Sequence, residues 1–85
     1  MNKLQIYLRK YGDTPLTEVQ ADMESDCWFW FSEDLTIRVT VKQSGSSLQE
    51  LKELAKQEIT ISQLVNKFEY FEIDDSKIDQ VLYPE

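Results

Sequence analysis

CWFWFSEDLTIRVTVK, residues 27–42, is dense in aromatic and β-branched residues. Its second half alternates strictly, with Leu35, Ile37, Val39 and Val41 set between Thr36, Arg38, Thr40 and Lys42. A period of two is the mark of a strand with one buried face, so the stretch reads as a β-hairpin. Glu33-Asp34 is the expected turn, although it lacks the Asn-Gly signature that pins a register. A two-residue turn there pairs Trp30 with Ile37 and Trp28 with Val39, which sends both tryptophans to the core. Phe29 and Phe31 then share the other face with Arg38 and Thr36. That face is either covered by helices or forms an apolar patch rimmed by Glu33, Asp34 and Arg38, the usual anatomy of an interface centre.

Outward from the hairpin, the flanks read as helices. Residues 1–11 fit a helix through Leu4, Tyr7, Leu8 and Tyr11, with Gly12 ending it; Leu4, Ile6 and Leu8 also alternate like a third strand. Thr14-Pro15 has the form of an N-cap followed by a first-turn proline, and Leu16, Val19 and Met23 extend it to a helix over 15–24. LQIYLRKYGDTPLTEVQADMESD, residues 4–26, resembles the opening of the small bacterial YozE-like, SAM-like helical domains. The likeness covers about a quarter of the chain, implies helices there and carries no function.

On the C-terminal side, Ser47 with Glu50 and Thr60 with Gln63 match capping boxes. They start expected helices over 48–57 and 61–71, the second with Leu64 and Phe68 in its apolar face. Ser76 with Asp79 repeats the box before a short last helix holding Ile78, Val81 and Leu82, stopped at Pro84. The expected fold is α+β: one domain over 1–85, helices packed on a central hairpin in the order α-α-β-β-α-α-α. An isolated hairpin is unstable in water, so the helices must supply its core.

Composition narrows the chemistry. The chain has 85 residues, no histidine, one cysteine and only two glycines. Without histidine, the common base near neutral pH and most zinc sites are missing. Gly12 and Gly45 are too far apart to form a phosphate loop. Cys27 has no disulfide partner, and the neighbouring Asp26 carboxylate opposes thiolate formation. Asp74, Asp75 and Asp79 cluster without the glycine and closing glutamate of a calcium loop. The pair 61–71 and 76–82 suggests a helix-turn-helix, but its candidate recognition helix carries Asp75, Asp79 and Lys77, a poor match to phosphate. The expectation is therefore a binding protein, not an enzyme, with no cofactor and no metal. The longest apolar run, Cys27 to Phe31, is far too short to span a bilayer, and the simplest location is the cytoplasm.

Charge points to the partner. The net charge is −7, and residues 12–34 hold seven acids and no base: Asp13, Glu18, Asp22, Glu24, Asp26, Glu33 and Asp34. A second acidic block spans residues 58–85. Such a surface repels nucleic acid and anionic membranes and steers basic proteins toward it. The expected partner is a larger protein with a basic surface, a nucleic-acid-binding effector or a nuclease. A structural or regulatory subunit whose aromatic hairpin pairs with itself or with a partner stands as the rival. In size and acidity the chain is similar to phage anti-defence proteins, including anti-CRISPR proteins and DNA mimics, and to immunity proteins that neutralise nuclease toxins. The expected contact residues are Asp22, Glu24, Asp26, Phe29, Phe31, Glu33, Asp34 and Arg38.

Overall fold

The structure is a computed structural model, and it describes residues 2–43 and 48–84. Among these described residues three helices and six strands follow one another: α1 (Lys3–Tyr11), β1 (Pro15–Asp22), β2 (Cys27–Ser32), β3 (Ile37–Lys42), α2 (Leu48–Ala55), β4 (Ile59–Thr60), α3 (Ile61–Val65), β5 (Phe71–Asp75) and β6 (Gln80–Leu82). The strands form one curled antiparallel sheet in the order β4-β1-β2-β3-β5-β6. The expected arrangement, helices packed on a two-stranded hairpin, is therefore wrong. The hairpin exists, but it is the middle of a six-stranded sheet.

One face of the sheet makes the core. Leu16, Trp28, Trp30, Ile37, Val39, Val41, Phe71, Ile73 and Leu82 pack with Tyr7 of α1, Leu51 and Leu54 of α2, and Ile61, Leu64 and Val65 of α3. α1 opens on a capping box, with Gln5 N donating to Asn2 Oδ1 at 2.8 Å and Asn2 N to Gln5 Oε1 at 3.2 Å. The helix ends at Gly12 as expected, but that residue has ordinary right-handed dihedrals. Glycine is required there for space, because a Cβ would collide with Ser62 Oγ and the Leu8 carbonyl. Ser62 N donates to Gly12 O at 2.9 Å, tying α3 to the end of α1.

Residues 15–24 are the largest correction. Instead of a helix, residues 15–22 form β1, and the likeness to helical SAM-like domains fails there. The cause is a β-bulge: the register against β2 slips between Leu16 and Glu18. A bulge adds one residue to a strand and so turns an i, i+2 spacing into i, i+3. Leu16 and Val19 thus both face the core, opposite Ser32 and Trp30, while showing helical spacing in sequence. Pro15 begins the strand, a position where its missing N–H is tolerated.

The C-terminal third departs in the same direction. The capping box at Thr60 and Gln63 is present, but α3 stops at Val65, not Phe71. Phe71, Ile73 and Asp75 then alternate inward along β5, and no helix spans 76–82. Leu64 is fully buried as expected, whereas Phe68 is only half-buried in the connection to β5. Ser76 caps no helix; its hydroxyl donates to Thr36 O at 3.1 Å. Asp79 takes a left-handed conformation, φ 52°, in the turn to β6, which removes the helix-turn-helix altogether. α2 covers 48–55 of the expected 48–57. The box proposed at Ser47 lies outside the described residues.

The central hairpin is present with its register moved by two. Trp30 pairs with Val39 and Trp28 with Val41, so the faces expected for the aromatic residues are kept. Four residues, not two, make the turn. Asp34 Oδ1 accepts from Ser32 Oγ at 2.8 Å, Thr36 Oγ1 at 2.7 Å and Thr36 N at 3.1 Å. Leu35 is forced into a left-handed conformation, φ 62°, and is exposed.

Candidate functional site

The sheet has a second face, and the described helices pack on the other one. The strand pairings line up Glu18, Gln20 and Asp22 of β1 on it, beside Phe31, Phe29 and Cys27 of β2. Arg38, Thr40 and Lys42 of β3 follow, then Asp74 and Glu72 of β5. A groove of about 870 Å³ runs across this face, lined among others by Phe29, Arg38, Thr40, Lys42, Tyr70 and Tyr83. It is open and shallow in character, a surface for contact more than an enclosing pocket.

Its chemistry is mixed. The Arg38 guanidinium lies 5.7 Å from the centre of the Phe29 ring and pairs with Asp74 Oδ2 at 3.3 Å. Arg38 Nε and Thr40 Oγ1 are buried atoms that find no hydrogen-bond partner among the described residues. A hydrogen bond to Glu72 raises the Tyr83 phenol above its ordinary range. Cys27, buried at the end of β2, donates from Sγ to Ser25 O at 3.3 Å. The described residues hold no group of three or more histidine, cysteine or acidic side chains arranged for a metal. No helix among them is long and apolar enough to cross a membrane.

The expected contact residues fall in three places. Phe29, Phe31 and Arg38 share the open face; both phenylalanines are half-buried, between the two outcomes left open by the sequence. Asp22, the last residue of β1, and Glu24 and Asp26, in the β1–β2 turn, cluster at one end of β2. Glu33 and Asp34 occupy the β2–β3 turn at the other, about 17 Å away along a six-residue strand. The first acidic block therefore forms two clusters, with Glu18 on β1 between them.

Two of these acids have structural work. Asp34 holds the β2–β3 turn, and its bonds to Thr36 and Ser32 pull its carboxyl down to about 2. Asp22 Oδ1 accepts from Glu24 N at 3.0 Å and Ser25 N at 3.3 Å, and bonding to Ser25 lowers its carboxyl too. Glu24 and Asp26 stand exposed beside it, and Glu33 beside Asp34.

Residues that the sequence reading missed on this face are Thr40, Lys42, Glu72 and Tyr83. The signal was present in FEIDD, residues 71–75, whose alternation matches that of IRVTVK and marks a strand fit to pair with it. Comparison with protein-family models, with curated proteins and with solved structures gives no match to this chain.

Proposed function

We propose that this is a small binding protein of the cytoplasm that docks its open sheet face on a basic site of a larger protein and so occludes it. The site it covers would be one that handles nucleic acid, as a phage anti-defence protein, a DNA mimic or an immunity protein would require. The observation that carries the reading is a face with half-buried Phe29 and Phe31 at its centre and acidic turns at both ends. Apolar centres with charged rims are how non-obligate interfaces are built. The rim acids accelerate encounter through steering, and the aromatic centre sets residence time.

The experiment is affinity capture from the source cell at low and high salt, followed by association and dissociation rates on the captured protein. Glu18, Glu24, Asp26 and Glu33 are the acids to change to Gln or Asn, because their side chains do not hold the turns. The amide variant should associate more slowly at low salt, and the difference should shrink near molar salt, where screening acts over about 3 Å. Phe29→Ala or Phe31→Ala should hasten dissociation at every salt concentration. An amide variant that folds and associates as fast as wild type at low salt would make these acids ordinary solubilising surface.

A further inference from the structure

β1 has an edge that the sheet leaves open. Pro15 and Leu16 pair with Thr60 and Ile59 of β4, and beyond Leu16 no described strand lies on that side. Residues 17–22 are exposed there, apart from half-buried Val19. Alternate N–H and C=O groups of this six-residue stretch point away from β2, a ready template for another strand. The opposite edge is much poorer: β6 has three residues and runs out at Pro84, which has no N–H to offer.

Charge selects the occupant. Glu18 and Asp22 stand four residues apart on the open face of β1, with Val19 and Ala21 on the other face beside Trp30 and Trp28. A second copy pairing antiparallel about Gln20 would set Glu18 against Asp22 of its mate, and like charges directly opposite destabilise a ladder. The chain has no lysine or arginine between Lys10 and Arg38, so a basic complement has to come from outside this segment.

We propose that the β1 edge receives an extended basic segment of a partner protein as a seventh, antiparallel strand. Its Lys or Arg residues, four apart, sit opposite Glu18 and Asp22, and small apolar residues between them face Val19 and Ala21. The proposal rests on the reading of this chain as a binder of basic proteins and names how such a partner is gripped. Main-chain bonds supply the affinity and the two acids supply the register.

The test uses a heptapeptide with lysines at its second and sixth positions, valines at its third and fifth, and threonines elsewhere. Added to the full chain, it should shift and slow the exchange of the edge-facing amides of residues 17–22. One of the two alternate N-methylation patterns of the peptide should abolish binding while the other keeps it. The variant Glu18→Lys, which leaves the turn held by Asp22 intact, should bind the lysine peptide about fivefold more weakly and a version with glutamate at its sixth position about fivefold better, as one cross-strand pair reverses sign. That exchange of preference cannot come from misfolding. A response confined to Phe29, Arg38 and Tyr83 overturns the edge proposal and leaves face docking intact. No response at millimolar peptide overturns it as well, with face docking still judged by its own rate measurements.

Discussion

The most demanding residue in the core is Asp75, a carboxylate with no exposed surface. Tyr7 OH donates to its Oδ2 at 2.8 Å, and Lys77 N donates to its Oδ1 at 2.9 Å. The first bond joins α1 to the end of β5 across 68 residues of chain, and the second is local to the turn after β5. Tyr7→Phe leaves one buried oxygen without a donor, which should cost about 1–3 kcal/mol in urea denaturation. A loss under about 0.5 kcal/mol would mean that water reaches the site. Burial first, and then the bond to Asp75, raise the Tyr7 phenol above its ordinary value of 10.0. The neutral phenol belongs to the folded state, so its contribution is complete below about pH 10 and declines as the pH climbs further. The stability gap between wild type and Tyr7→Phe should therefore narrow above that pH, followed by denaturation at a series of alkaline pH values.

Among elements, the β2–β3 turn combines a strong bond set with a strained residue. Asp34 accepts its three bonds most strongly when ionised, and they hold its carboxyl at about 2, below the 3.8 of an ordinary aspartate. Its stabilisation is thus present above about pH 4 and lost as the pH falls toward 2. Asp34→Asn should be less stable than wild type at neutral pH, with the two converging near pH 2. Leu35, at φ 62°, stands where a bulky residue is disfavoured. Leu35→Asn should add about 0.5–1 kcal/mol, since Asn tolerates that conformation, and unchanged stability in denaturant titration would contradict it.

The same turn explains what could be read beforehand. The alternation of Ile37, Val39 and Val41 made β3 visible, and parity kept Trp28 and Trp30 inside even though the turn was longer than expected. β1 was hidden because its bulge imitates helical spacing between Leu16 and Val19. β5 was hidden because Leu64, Val65, Phe68 and Phe71 continue a helical period across the end of α3. Phe29, Phe31 and Arg38 were placed together correctly, since a strand's period of two needs no knowledge of its neighbours. The separation of the acids into two clusters depended on strand length and direction, which composition does not carry.

Across the whole molecule, the sheet order places β3 beside β5, so residues near 40 must find residues near 73 before the core closes. β1 likewise waits for β4, more than forty residues later. Such distant pairings cost loop entropy before contact repays it, and ln kf falls as they accumulate. Folding should take milliseconds to seconds, against microseconds for a helical bundle of this size, as stopped-flow refolding would reveal. Leu64→Ala, in the fully buried side of α3, should cost about 2–4 kcal/mol by leaving a cavity.

Cys27 is the only cysteine in the chain, and it is sealed at the first position of β2 with 8% of its surface exposed. It lines the groove of the open face, and a thiol reagent reaches it there when the side chains over it move aside. The chain therefore carries its own clock: at low reagent the labelling rate reports how often that cover is open, and at high reagent how fast it opens. A partner docked on the open face would slow that clock, with no residue added to the chain.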